Sequence, residues 1–217
     1  MRSARTLAAV AVSGLMLAPL AGCGAAASSA PATPPPTAKP ATQVRLMLPP
    51  GVAGTRLLKV QMETIKDQLA PAGARGAARF DALTRRSWLA SAHSVFQVSE
   101  GGIFILASVN EFNSIAEAKQ LYRLGKAMHS PHQRTLREQV PPGAAPGSRY
   151  ICAADKKNSL CELEWRQGNV IAVAILLGKG PSALDRGVAA QVAPKLKAVQ
   201  VQMVARILTQ THIAPGQ

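Results

Sequence analysis

The sequence of 217 residues predicts one α+β domain, in which an antiparallel sheet packs against helices. A segment with too few large apolar side chains to form a core precedes this domain. Three observations support this prediction. An apolar fraction of 47% is normal for a globular domain. Alternating apolar runs bounded by turn residues indicate strands, while apolar residues spaced three and four apart indicate helices. Residues 24–43 are mostly Ala, Pro, Ser and Thr and contain no Val, Ile, Leu, Met or aromatic residue.

The first 22 residues have the organisation of an export signal. Arg2 and Arg5 form a basic region, and residues 6–20 form an apolar run of 15 residues. A spanning helix needs about 20 apolar residues, so this run suits a signal peptide better. The next four residues, Leu20-Ala21-Gly22-Cys23, resemble the bacterial lipobox.

The lipobox resemblance implies that residues 1–22 are removed and that Cys23 is acylated. The protein would then be anchored by lipid to the extracytoplasmic face of a bacterial cell membrane. An ordinary secretory signal followed by a chance cysteine is the alternative. Residues 23–43 are expected to be the lipidated cysteine and a flexible tether, because their composition cannot bury apolar surface. Residues 44–217 are expected to form the extracytoplasmic domain.

The first half of the domain alternates predicted strands and helices. The helix at 55–70 is predicted from Leu58, Met62, Ile65 and Leu69, which share one helical face. A capping box, Ser114 to Glu117, predicts the start of another helix. The remaining predictions are a strand at 44–48, a short helix at 83–89, strands at 94–98 and 103–109, and either a short helix or a functional loop within 129–148.

The C-terminal third predicts a three-stranded meander followed by a long helix. The strands are expected at 150–153, 160–165 and 169–177, with a turn at Gln167-Gly168. The helix is expected to begin near residue 181 and to keep one apolar face through Pro194.

Cys152 and Cys161 are the best candidates for a disulfide. A hairpin turning about residues 156–157 sets them directly opposite each other, at a separation that a disulfide can span. Export favours an oxidising compartment. Two free buried thiols are the main alternative, and a redox or metal role is disfavoured because no CxxC motif or histidine cluster accompanies them.

The meander also offers a candidate ligand pocket. The predicted turn sets Trp165 opposite Val170, so that one face of the hairpin is apolar throughout. The other face carries two carboxylates on one strand and three apolar residues on the next. The candidate pocket residues are Glu162, Glu164, Ile171, Val173 and Ile175. The alternative is a fully covered central strand with two carboxylates at its rim.

No sequence motif indicates catalysis, a metal or a cofactor. Motifs for serine hydrolases, zinc proteases and phosphate-binding loops do not occur, and no catalytic residue is assigned. His129 and His132 are a weak pair of metal ligands, better interpreted as solvated loop residues. The formal charge of +14 falls to +12 once Arg2 and Arg5 are removed. Export argues against nucleic acid as the partner of these charges, and anionic envelope lipids or polymers are favoured instead.

Two segments of the domain resemble actinobacterial extracytoplasmic sensor-type domains, a set that includes the extracellular domain of a mycobacterial serine/threonine kinase. The first is Val109-x-Glu111-Phe112-Asn113-Ser114-x-x-Glu117-Ala118, and the second is the stretch 161–177 with the helix after it. One cysteine pair stands here where some of those domains have two. The resemblance implies an α+β sandwich that binds rather than catalyses.

Together these features favour a membrane-anchored ligand-binding or sensor module of the cell envelope. An apolar small molecule or lipid is the expected ligand. A structural or accessory protein that acts through contacts with another envelope protein is the alternative, and a hydrolase is less favoured. The sequence identifies neither the ligand nor the oligomeric state.

Overall fold

A computed structural model describes residues 41–69, 77–98, 102–125, 134–137, 140–154, 158–179 and 186–211. These residues form a mixed α+β domain, as the sequence predicts. One antiparallel sheet of seven strands lies between two helical layers. The helices are α1 (Ala41–Leu46), α2 (Ala77–Ser87), α3 (Ile115–Gly125) and α4 (Arg186–Thr211), and a 3₁₀ helix covers Ile65–Gln68.

The strands run in the spatial order β1-β2-β3-β7-β6-β5-β4, and every neighbouring pair is antiparallel. β7 therefore lies at the centre of the sheet, and β1 and β4 are its edges. The strands are β1 (Thr55–Met62), β2 (Trp88–Val98), β3 (Phe104–Phe112), β4 (Arg134–Arg137), β5 (Arg149–Ala154), β6 (Asn158–Gln167) and β7 (Val170–Lys179).

The first face of the sheet packs against α1 and α4 and forms the main core. β7 contributes Val170, Ala172, Ala174 and Leu176 to this core, and every one of them is buried. The predicted apolar face of α4 is buried here as well, and the helix continues through Pro194. Its core residues are Val192, Leu196, Val199, Met203 and Ile207.

The second face of the sheet is covered at one end by α2 and α3. Leu83, Phe112, Ala118 and Leu121 form a small buried cluster there. The predicted capping box begins α3, because the backbone N–H of Glu117 donates to Ser114 Oγ at 3.2 Å. Among the described residues this cluster has four buried members, far fewer than the main core on the first face.

Two predictions near the N-terminal end of the domain are wrong. Residues 44–46 are helical rather than a strand, because Val44 of α1 packs into the core, and Met47 and Leu48 follow it there just after the helix ends. The predicted helix at 55–70 is instead β1 followed by the 3₁₀ helix, because β1 pairs along its length with β2. α1 also takes up the last three residues of the predicted tether.

The meander is present, with a turn one residue later than predicted. Gln167 pairs with Val170, so the turn residues are Gly168 and Asn169, and Gly168 adopts a φ of 60°. Trp165 therefore lies opposite Ala172 instead of Val170. The register differs from the prediction by two residues, and an even shift leaves every side chain on its predicted face.

Candidate functional site

The second face of the sheet places all five predicted pocket residues on one side of the hairpin. Glu162 pairs with Ile175 and Glu164 pairs with Val173 across β6 and β7. Val173 and Ile175 are half-buried, whereas their neighbours on the first face are fully buried. Ile171 is different, because it packs against the small cluster beneath α2 and α3. Val173 and Ile175 therefore belong to the less deeply buried part of this face.

Glu164 lies against a cation that is absent from the predicted pocket. Arg149 Nη2 of β5 lies 2.8 Å from Glu164 Oε2, and their side chains are 13% and 17% exposed respectively. Register explains the contact, because Arg149 is the direct cross-strand partner of Glu164. Cross-strand neighbours on one face are the closest side chains in a sheet.

Tyr122 of α3 holds Arg149 in place. The Arg149 guanidinium lies 3.7 Å from the centre of the Tyr122 ring, and its Nη2 donates to the Tyr122 carbonyl oxygen at 2.7 Å. The Tyr122 hydroxyl lies 2.8 Å from the carbonyl oxygen of Gly147, to which it can donate. The stacked guanidinium and its hydrogen bond leave Nε and Nη1 of Arg149 buried without an acceptor among the described residues.

Among the described residues, Glu162 and Glu164 both lie near the Arg149 guanidinium, and the pKa values of both carboxylates are raised. Burial raises the pKa of Glu164 to about 8, with the charge of Glu162 as a second cause, and Arg149 opposes both effects. Burial also raises the pKa of Glu162. Two carboxylates beside one cation cannot both ionise cheaply, so the pair retains a proton near neutral pH.

A second polar cluster lies across the same face, toward the β1 edge. His93 Nδ1 lies 2.7 Å from Glu63 Oε1, and both side chains are largely buried. Ser91 Oγ donates to Glu63 Oε2 at 2.5 Å, and Gln68 Nε2 donates to the same oxygen at 2.6 Å. The serine thus bonds the carboxylate and not the imidazole, which is not the serine–histidine–carboxylate order of a hydrolase relay.

Strand register connects the two clusters. His93 lies opposite Ser108, Ser108 opposite Val173, and Val173 opposite Glu164. Three interstrand spacings of about 4.8 Å separate the backbones of His93 and Glu164, or roughly 14 Å. Half-buried Leu106 and Ile175 are paired in the adjacent row. The face therefore has an apolar floor between a His–Glu pair and an Arg–Glu pair.

Cys152 and Cys161 form a disulfide that joins β5 to β6. They are directly opposed in the register, as their spacing predicts. Both are buried on the first face, against the main core. The bond therefore fixes the pairing of the two strands that carry Arg149 and Glu164, on the opposite side of the sheet from these residues.

Other predicted sites lie outside the described residues. Cys23, the signal segment and most of the tether belong to this part of the chain, as do His129 and His132. Within the described ranges, no cluster of three or more His, Cys, Asp or Glu side chains is arranged to hold a metal ion. No described helix has both the length and the apolar composition to cross a membrane.

Comparisons with known proteins add little to this geometry. No family model matches the sequence, and no curated protein matches it. Among solved structures, the chain is similar to the extracellular domain of PknH from Mycobacterium tuberculosis, with 12% identity and a TM-score of 0.39. The similarity covers 79% of this chain and 92% of that one. So low a TM-score carries no weight for function, which must be argued from the residues of the site.

The predicted site contains the carboxylates Glu162 and Glu164 but lacks Arg149, Tyr122 and the His93–Glu63 pair. Arg149 was hidden because it precedes the predicted strand at 150–153 by one residue. Tyr122 and the His93–Glu63 pair depend on contacts between elements far apart in the chain. Extending the meander strand backward by one residue would have placed Arg149 opposite Glu164, since the sum of paired residue numbers is constant along a hairpin.

Proposed function

We propose that this protein is a lipid-anchored extracytoplasmic module that binds an amphipathic small molecule on the second face of its sheet. The observation that carries the proposal is the half-buried apolar floor around Val173 and Ile175, which lies between two polar clusters. A predominantly apolar surface with a few converging polar groups is typical of small-molecule sites.

The Arg149 cluster is suited to the polar end of such a ligand. Two nitrogens of Arg149, Nε and Nη1, lack acceptors among the described residues, and a buried donor without an acceptor is costly. A ligand carboxylate or phosphate would satisfy them. The protonated member of the Glu162–Glu164 pair could donate a further hydrogen bond. The apolar body of the ligand would then lie along the floor toward His93.

Membrane anchoring is proposed from Leu20-Ala21-Gly22-Cys23 alone. Several acyl chains, each methylene contributing about 0.8 kcal/mol, would make attachment effectively permanent. Metabolic labelling with a fatty-acid analogue should label the wild type and not Cys23→Ser. Equal labelling of the two proteins would contradict the anchor, and it would leave the ligand proposal untouched.

Ligand binding is tested with a fluorescent fatty-acid probe and the mature chain carrying Cys23→Ser, which removes the acylation site. Ile175→Gln should weaken probe binding by at least about tenfold, because it places a polar amide on the apolar floor. The matched control is Val60→Gln, a similar change at an exposed apolar residue of edge strand β1. Circular dichroism checks that both variants fold. Absence of binding by the wild type, or equal binding by folded Ile175→Gln, would refute the ligand site.

A second candidate function is supported by β1. Leu57, Leu58 and Val60 are all exposed on this edge strand, whose outer side pairs with no described strand. Exposed apolar edges are used by proteins that add a strand from a partner. A photo-crosslinking residue at position 58 should then capture an envelope protein that the same residue at Lys119 does not. Identical products from the two positions would remove this candidate.

A further inference from the structure

The described residues of the α1/α4 layer carry only one sign of charge at their outer surface. No Asp or Glu occurs in residues 41–54, which contain α1, or anywhere in α4. Cations are present in both segments, and Arg45 and Lys195 are exposed while Lys197 and Arg206 are half-buried. This surface therefore presents a positive potential that no carboxylate of its own helices neutralises.

No described carboxylate lies on this outer surface. Glu111 is buried on the first face of the sheet, beneath the α1/α4 layer. The other six belong to the second face or to the elements beside it. They are Glu63, Asp67, Asp81, Glu117, Glu162 and Glu164. The α2/α3 layer also has cations, but it mixes them with acids, as in the 3.4 Å contact of Arg86 with Glu117. The two sides of the domain thus differ in their charge character.

The same cationic surface exposes large apolar side chains. Leu46 of α1 is 49% exposed and Val201 of α4 is 55% exposed. Arg206 Nε donates to the carbonyl oxygen of Leu46 at 2.6 Å, which ties the two helices together and keeps their apolar and basic groups on one surface. Exposed apolar side chains flanked by Arg and Lys are typical of surfaces that lie in a membrane interface.

We propose that the α1/α4 layer is the surface with which this domain lies on an anionic lipid bilayer. Charge complementarity supports this partner, since each basic residue near an anionic leaflet contributes up to about 1 kcal/mol. The chain connection supports it as well, because the segment from Cys23 joins the domain at Ala41, the first residue of α1. The orientation rests on the proposed anchor at Cys23.

The tether length is compatible with this contact. Residues 24–40 separate Cys23 from α1, and a Pro-rich chain of that length reaches about 50 Å at most, at roughly 3.1 Å per residue. The chain from the proposed anchor enters the domain at α1, and this reach allows the α1/α4 layer to lie on the lipid. With this layer on the bilayer, the second face of the sheet, including Arg149 and Glu164, points away from the membrane.

The experiment measures which lysines the bilayer protects. The mature chain is coupled through its Cys23 thiol to a maleimide lipid in preformed vesicles, so the result does not depend on natural acylation. The disulfide leaves Cys23 as the only free thiol of the three cysteines. A membrane-impermeant acetylating reagent then modifies exposed lysines, and mass spectrometry gives the rate at each one. Lys195 reports on α4, and Lys119, which is also exposed and lies on α3, is the internal control.

Acetylation of Lys195 should slow about fivefold on vesicles of equal parts phosphatidylglycerol and phosphatidylcholine, relative to pure phosphatidylcholine. Acetylation of Lys119 should not change. An unchanged rate at Lys195, or equal slowing at both lysines, would overturn the proposal. Failure of the Cys23 labelling experiment would leave this measurement unaffected, so the two results can be told apart.

A pair of variants tests the apolar part of the surface. Val201→Glu should return the Lys195 rate on anionic vesicles to its value on phosphatidylcholine. Ile115→Glu, the same kind of change at a 40% exposed residue of α3, should leave the protection intact. Both positions are on exposed helix surfaces, where such changes affect stability little. Persistent protection of Lys195 in Val201→Glu would show that this surface does not contact the bilayer.

Discussion

Replacing Glu164 by glutamine should make the protein more stable at alkaline pH and change little at acidic pH. Burial and Glu162 raise the pKa of Glu164 to about 8 in the folded protein. In the unfolded chain the same group titrates near 4.5. Between these values the folded state holds a proton that the unfolded state has lost, so the free energy of unfolding falls as pH rises.

The two pKa values give the expected loss in the free energy of unfolding. As pH rises from 4.5 to about 8, Glu164 costs about 1.36 kcal/mol of stability for each pH unit, or roughly 5 kcal/mol in all. Glutamine has the shape and neutrality of the protonated acid and cannot ionise, so it avoids this loss. Glu162 and Glu164 interact strongly, so their protons are lost in steps that belong to both groups. Glu162→Gln should therefore also make the protein more stable at alkaline pH.

The assay is urea unfolding of the mature chain carrying Cys23→Ser, measured from pH 5 to pH 8.5. The advantage of Glu164→Gln over the parent should grow steadily across this range. Glu117→Gln is the matched control, because Glu117 pairs with Arg86 at the surface of α3. The reasoning is refuted if the parent and Glu164→Gln depend on pH in the same way, or if Glu117→Gln gives the same gain.

Further predictions concern the parts of the fold that position the site, and urea unfolding checks each of them. Replacing both Cys152 and Cys161 by serine should cost about 2.5–3 kcal/mol, the loop-closure term for about ten residues, and equal stability would contradict it. Ser114→Ala should cost about 1 kcal/mol by removing the cap of α3, whereas Ser114→Asp should not. Leu196→Ala, in the main core, should cost about 2–5 kcal/mol, while exposed Leu58→Ala should stay within about 0.5 kcal/mol.

Much of the fold could be predicted because it depends on local patterns. The meander has three strands of alternating pattern joined by short turns, so their antiparallel pairing follows from adjacency. Cys152 lies opposite Cys161 for the same reason. The apolar repeat of α4 extends through its described length, which makes periodicity a strong signal.

The wrong elements are those whose conformation depends on distant partners. Residues 55–62 have apolar spacing compatible with a helix, and only pairing with β2 makes them a strand. Exposed Leu57, Leu58 and Val60 give no burial pattern that would distinguish the two. Such short segments are decided by tertiary context more than by propensity.

The candidate site was half predictable for a related reason. Glu162 and Glu164 stood out because their strand alternates while β7 is apolar on both faces. The partners of these carboxylates could not be found in this way. Tyr122 comes from α3, and Glu63 reaches His93 across the β1 edge, so both contacts require the full sheet order.

The arrangement of the Arg149 cluster is difficult to explain by stability alone. A buried ion pair is often no more stable than an apolar pair of similar volume, which can be better by about 1–4 kcal/mol. Here Glu162 and Glu164 both lie near the Arg149 guanidinium. Their cross-strand neighbours, Ile175 and Val173, are apolar, so apolar side chains fit on this face of the sheet. Strongly perturbed carboxylates in a partly open face are typical of functional sites.

A final prediction has two readouts on one variant. Glu164→Gln should raise stability at pH 8, as worked out above, and should also change the pH dependence of probe binding. If the protonated pair donates to the ligand, binding by the parent should weaken as pH rises through about 8. The glutamine variant should lose most of that dependence because its amide cannot ionise. A gain in stability without any change in the binding profile would mean that the carboxylates serve only the fold, and the ligand would then have to be held by other groups.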